Sequence, residues 1–198
     1  MKPVVTVLMT VYNGKNYLNE AIESVLCQTL TNYEFLIVDD ASTDNSIEII
    51  NSYKDSRIKL LKNRENIGQT ASLNEGLAIA QGQYIARFDQ DDVCLPKRLE
   101  DQVTFFKKNP SISIVCSREY SIDEQGKRIG VWKRDLNNYG AFLGYVILGL
   151  NPVWTPSVMF VKDVFLQLGG FDVTYGPASD FEFWSRIALK RLNAKVVP

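Results

Sequence analysis

The sequence predicts an α/β fold: an open, mostly parallel central sheet flanked by helices, followed by a smaller mixed region. Three observations carry that prediction. Apolar runs of strand length alternate with segments of helical period through the first half of the chain. The clearest of these runs is apolar almost throughout rather than at every second position, the mark of a strand buried on both faces. Acids and small polar residues collect just after the runs, where an open α/β sheet binds its ligands.

Val4 to Met9 is the first such run. Leu18, Ile22, Val25 and Leu26 then fall on one face of a helix. Phe35 to Val38 is a second buried strand, and Asp44 is placed to cap a helix carrying Ile47 and Ile50. Ile58 to Leu61 is a third strand. Thr70 is expected to cap a helix with Leu73, Leu77 and Ala80 inward, and Tyr84 to Phe88 is the fourth strand. Pro96 then opens a helix with Leu99, Val103 and Phe106 on one face, ended by Asn109-Pro110. Ile112 to Cys116 and Ser157 to Val161 read as strands, and residues 123–127 as a turn. Residues 131–154 are an irregular stretch rich in Trp, Tyr and Gly, and Phe181 to Leu189 is a last helix. Neither a repeat nor a linker interrupts this order, so residues 1–198 are expected to be one domain, with halves 1–95 and 96–198. Ala194 to Pro198 reads as the beginning of another strand, which predicts a chain stopping short of its natural C-terminus.

With 198 residues and 45% hydrophobic composition the chain can hold a core without disulfides. Three separated cysteines suit a reducing compartment. Twenty-two basic residues against 23 acidic give a net charge of −1, which argues against a nucleic-acid binder relying on a broad basic face. No histidine is present, so a His-based triad, a His-ligated zinc or an imidazole base within these residues is excluded. No apolar run reaches the roughly 20 residues that span a bilayer.

The chemistry concentrates at four places. Asp89-Gln90-Asp91-Asp92 closes the fourth strand, and carboxylates so crowded repel unless a cation or solvent relieves them. Hard oxygen ligands favour Mg2+ or Mn2+ shared with substrate phosphates, although a solvated acidic turn has the same composition. Asp39-Asp40 closes the second strand and suits hydrogen bonds from a base or ribose, or a local Asx turn. Thr10 to Gly14 follows the first strand, with Tyr12 as a stacking face or part of a plain turn. Asp180 opens the last helix, where a carboxylate is either a general base or a simple N-cap.

Residues 5–14, Ile37 to Asp44, Asn66-Ile67-Gly68 and Ala86 to Asp92 together resemble family 2 glycosyltransferases, in motif order and spacing. The resemblance covers nearly the whole chain. It implies the GT-A fold, a Rossmann-like variant of the predicted sheet, and inverting transfer of a sugar from a nucleotide diphosphate donor. It further implies that Thr10, Tyr12 and Asn13 border the nucleoside, that Asp40 binds the base, and that Asp39 supports that loop. Asn66, Gly68, Gln69 and, more loosely, Arg64 would line the nucleotide cleft. Asp91 would hold Mn2+ or Mg2+ with help from Asp92, Asp89 would face ribose or donor sugar, and Asp180 would be the base. Partners so implied are a nucleotide-sugar donor, with uridine the commonest base, and a saccharide or lipid-linked saccharide acceptor. The expected place is the cytoplasm, with peripheral contact at the inner face of the membrane and a role in cell-surface polysaccharide synthesis.

Two departures stand out. Ser179 replaces the first acid of the family's usual pair, and Trp154-Thr155-Pro156 fills a stretch where many relatives carry histidine. These leave a non-catalytic nucleotide-sugar-binding or assembly subunit as the alternative. Nucleotidyltransferase and dehydrogenase readings fail on the same ground: Val11-Tyr12-Asn13-Gly14 is not a Gly-rich phosphate loop.

Overall fold

The computed structural model describes residues 2–132, 136, 139–192 and 194–197. Four strands and the helices between them build the first half: β1 (Val5–Val11), α1 (Leu18–Leu26), β2 (Tyr33–Asp39), α2 (Ser46–Ser52), β3 (Ile58–Lys62), α3 (Gln69–Ile79) and β4 (Tyr84–Asp89). The second half contains α4 (Arg98–Lys108), β5 (Ile114–Ser117), β6 (Glu119–Ile122), β7 (Arg128–Trp132) and α5 (Tyr139–Ile147). It continues through β8 (Val158–Val161), α6 (Lys162–Gln167), α7 (Ser179–Leu189) and β9 (Ala194–Val197). The strand expected at Ala194 is therefore present; Pro198 lies outside the described residues.

Seven strands form one sheet in the order β3-β2-β1-β4-β8-β5-β9, while β6 and β7 form a separate hairpin. β1 to β4 are parallel, as expected. The extension is not: β8 runs antiparallel to both β4 and β5, and β5 pairs parallel with β9. Every residue of β1 and β2 is buried, so the two faces of each strand feed two cores. Val5, Val7, Met9 and Val11 pack with Ile22 of α1 and Leu99, Val103 and Phe106 of α4. Leu8, Leu36 and Val38 face the other way, toward Leu73 and Leu77 of α3 and the aromatic cluster of the second half. In that cluster the Phe165, Phe171 and Phe183 ring centroids lie 4.7–5.0 Å apart.

Helix starts deviate from the sequence expectation in four places. α3 begins at Gln69, with Gly68 as its N-cap at φ 87°, ψ 152°, a conformation open essentially to glycine. Thr70 is thus inside the first turn, and its hydroxyl meets Ser179 Oγ at 2.9 Å instead of capping. Asp44 stands one residue before the α2 cap, yet its Oδ1 accepts from both the N–H and the hydroxyl of Ser46. α4 begins at Arg98 because the Pro96 carbonyl is taken by the Thr29 N–H. The last helix begins earlier than expected, at Ser179. Chain order leaves β1 for β2 on one side and returns to β4 on the other. The crevice of a doubly wound sheet therefore opens beyond β1 and β4.

Candidate active site

Register brings the first two motifs together at that edge: Thr10 pairs with Asp89 and Val11 with Asp39. Beyond β1 the chain turns through Asn13, whose φ is 52°. Asn13 Oδ1 accepts from Thr43 N at 2.8 Å, and Asn13 N donates to Ser42 Oγ at 3.0 Å. Tyr12 is tied to Gln90 in both directions, its N–H donating to Oε1 and its carbonyl accepting from Nε2, while its side chain remains about half exposed. The ends of β1 and β4 are thereby fastened to each other across the switch point.

Asp40 is buried and strongly engaged. Its Oδ1 accepts from Asn63 Nδ2 at 2.8 Å and Ile67 N at 3.0 Å, and its Oδ2 from Gly68 N at 2.9 Å. Burial alone would raise its pKa, but donors from Ile67, Asn63, Ser72 and Gly68 outweigh it and hold the carboxyl below its ordinary value. Asp40 thus shapes the 63–68 loop and sets the N-terminus of α3. Asp39 is fully buried: its Oδ2 accepts from Ser42 N, while Oδ1 has no partner.

At the end of β4, Asp89 Oδ2 pairs with Arg87 Nη1 at 3.0 Å, and Gln69 Nε2 of α3 reaches Oδ1 at 3.5 Å. Asp91 is exposed. Burial pushes the Asp92 carboxyl up to about 6, with the charges of Asp89 and Asp91 adding to the shift. Glu119, at the start of β6, is also pushed up to about 7 by burial and by Asp92, against a hydrogen bond from Ser157. Negative charge is therefore in excess here, and it is the kind of excess a cation relieves. Among the described residues no group of three or more acids or cysteines is arranged to cage a metal alone. Asp91 is exposed beside these acids, which Arg87 and Arg98 offset only in part, and exposed carboxylates of this kind can share a divalent ion with substrate phosphates.

The third component arrives from far along the chain. A cavity of about 400 Å³ is walled by Gly68, Gln69 and Thr70 of the α3 start, by Arg87, and by Thr155, Ser179 and Asp180. Asp180 Oδ2 accepts from Asn151 Nδ2 at 2.9 Å and Thr155 Oγ1 at 2.8 Å, and Oδ1 accepts from Phe181 N at 2.6 Å. The neighbouring wall is fixed by Arg186, which donates to the carbonyls of Leu168 and Gly170 while pairing with Glu182. Asn74 clasps Phe171 through both backbone groups.

Of the residues singled out in the sequence, Thr10, Tyr12, Asn13, Asp39, Asp40, Asp89, Asp91 and Asp92 gather at the sheet edge. Gly68, Gln69 and Asp180 line the cavity. Gln69 and Arg87 link the two through Asp89. Asn66 and Arg64 are exposed and do not wall the cavity. Asn63 holds the inward position instead, one residue past β3 and hydrogen-bonded to Asp40. Sequence reasoning missed Asn63, Arg87, Glu119, Asn151 and Thr155. The strand-end position of Asn63 was a usable signal, and Thr155 lies in the stretch that departs from the family; Asn151, 29 residues from Asp180, gave none.

The sequence profile of Glycosyl transferase family 2 matches residues 6–162. An uncharacterized glycosyltransferase of Methanocaldococcus jannaschii is 38% identical over 189 residues, covering 93% of this chain and 64% of the relative. The Escherichia coli UDP-Glc:alpha-D-GlcNAc-diphosphoundecaprenol beta-1,3-glucosyltransferase WfaP is 31% identical over 193 residues, covering 97% of this chain and 73% of that protein. S. aureus TarS 1–349 in complex with UDP superposes with a TM-score of 0.81 at 20% identity, over 100% of this chain and 58% of TarS. A Pyrobaculum calidifontis mannosyltransferase in complex with GDP-Man and Mn2+ gives 0.75, also at 20% identity, over 100% of this chain and 55% of its own. These structural likenesses establish a GT-A fold.

Proposed function

The chain belongs to Glycosyl transferase family 2, and on that premise we propose that it moves a sugar from a UDP-sugar to an acceptor hydroxyl with inversion. The observation that carries this reading is the shared cavity. A carboxylate from α7 stands across from the α3 start, and Arg87 connects that space to Asp89. The sheet edge of Thr10, Tyr12, Asn13, Asp39 and Asp40 takes the nucleoside, and Gly68 and Gln69 flank the diphosphate. Residues 1–95 serve as the donor half and 96–198 as the acceptor half.

Asp91, helped by Asp92, would hold Mn2+ or Mg2+ at the donor diphosphate, and Asp89 would face the ribose or donor sugar. Such an ion, when bound, neutralises charge on the leaving nucleotide. Asp180 takes the proton of the acceptor hydroxyl as its oxygen attacks the anomeric carbon from the face opposite the diphosphate. One displacement inverts the centre without a protein nucleophile. The uridine assignment draws on TarS, whose structure holds UDP, and on WfaP, named for UDP-Glc. The name of WfaP, with its diphosphoundecaprenol-linked acceptor, supports a lipid-linked saccharide acceptor; work at the inner face of the membrane and a role in surface polysaccharide synthesis complete the proposal. No helix among the described residues is long and apolar enough to cross a membrane.

A thermal-shift series tests the reading, with nucleotide diphosphates and nucleotide sugars, with and without Mn2+, on wild type and Asp91→Ala. Ligand at 100-fold excess over Kd adds about 2.7 kcal/mol to stability. A uridine-specific, Mn2+-dependent shift lost in Asp91→Ala is expected. Equal shifts in both proteins would remove Asp91 from the metal site.

A further inference from the structure

The residue before Asp180 is Ser179, whose hydroxyl meets that of Thr70. Support for Asp180 comes from residues 151–155. Asn151 Nδ2 and Thr155 Oγ1 both donate to Oδ2, whereas among the described residues Oδ1 receives only the Phe181 N–H. A carboxylate oxygen offers about two acceptor positions. Oδ2 is therefore filled, and Oδ1 keeps one.

The donors are firmly held. Thr155, Ser157 and Val153 are buried, Thr155–Ser157 forms a 3-10 turn, and Pro152 and Pro156 fix the backbone on either side. Asn151 Oδ1 is buried without a partner. The opposite amide orientation would set that oxygen against the carboxylate, so only the donating orientation is favourable.

We propose that Asn151 and Thr155 are positioning residues that saturate Oδ2 of Asp180 and thereby select Oδ1 as the oxygen that takes the acceptor's proton. The inference rests on the proposed transferase reading. Oδ1 takes the proton as the acceptor O–H bond breaks. The acceptor oxygen bonds to the anomeric carbon, and the bond from that carbon to the diphosphate oxygen breaks, its electron pair leaving on the nucleotide.

The test uses release of UDP from UDP-glucose and UDP-N-acetylglucosamine with water as the probe acceptor, alongside UDP affinity by calorimetry. Wild type is compared with Asp180→Asn, Thr155→Val, Asn151→Ala and Thr155→Ser. A hydrogen bond to a charged group corresponds to about tenfold to a hundredfold in rate. Thr155→Val and Asn151→Ala should each lose kcat by that factor and keep the affinity of wild type for UDP, and Thr155→Ser should recover most of the Thr155→Val loss. Unchanged kcat in Thr155→Val overturns the inference. So does a loss shared equally by Thr155→Ser, or one matched by weakened UDP binding, because either means these residues only maintain the fold. Wild type that binds UDP but turns over no better than Asp180→Asn overturns the base assignment itself, and the inference with it.

Discussion

Asp40 follows Asp39 at the end of β2 and Asp180 stands in the first turn of α7, and their surroundings divide their work. Asp40 is enclosed by donors from Asn63, Ile67 and Gly68, so its first task is to shape the loop that opens α3. Asp180 lines the cavity with an acceptor position in reserve. Replacing Asp180 by Asn keeps its size and removes its basicity. Transferase turnover measured by UDP release is expected to fall about 10²- to 10⁴-fold, with UDP affinity retained. A fall of less than tenfold would show that proton removal does not depend on this side chain. A hydroxyl also decides local geometry: Thr70 looked like a cap, but its role is to join α3 to Ser179 at the start of α7.

The elements are held at spacings that leave little room for change. Gly82 lies in the α3–β4 connection, where a Cβ would come within 2.3 Å of Thr6 N and 2.6 Å of the Val5 carbonyl carbon. Both are backbone atoms of the central strand and cannot swing aside. Gly82→Ala should destabilise the protein by about 1–3 kcal/mol, as overpacking generally does, read as a lowered urea midpoint at unchanged m. An unaltered midpoint would mean that this connection gives way freely. The same connection carries a buried polar knot, with Glu34 Oε1 accepting from Thr6 Oγ1 at 2.5 Å and Gln81 N at 2.6 Å. α4 also follows an elementary rule, with Glu100 and Asp101 in its first turn and Lys107 and Lys108 in its last, complementing the helix dipole.

Across the whole molecule, the acidic cluster beyond β4 makes stability depend on pH. Asp92 and Glu119 have folded pKa values raised to about 6 and about 7, above those of the unfolded chain. The folded state therefore holds these protons more tightly, and its advantage is full at acid pH below the unfolded values and lost as pH rises toward 7. Their contribution lowers the melting temperature between about pH 4.5 and 7. Glu119→Gln should flatten that decline. An identical pH slope in Glu119→Gln and wild type would exclude Glu119 as a source. Asp40, with its lowered value, acts oppositely: its contribution is present above the unfolded carboxylate range and lost as pH falls through its folded pKa.

What the sequence determined by itself is the local and the periodic. Continuous apolar runs fixed β1 and β2, because strands buried on both faces need apolar residues throughout. Motif order pointed to one edge of the sheet, since the carboxyl ends of parallel strands converge wherever the strands themselves are found. Tertiary structure decided the rest. β8 enters antiparallel between β4 and β5, a choice made by pairing partners that no periodicity records. Asn63 turns inward and Asn66 outward because Asp40 is buried and needs donors. Asp180 is gripped by Asn151 and Thr155 because the segment before β8 and the start of α7 meet beside the α3 start. Hydrogen bonds between residues distant in the chain depend on where the backbone returns, and return is a property of the packed whole.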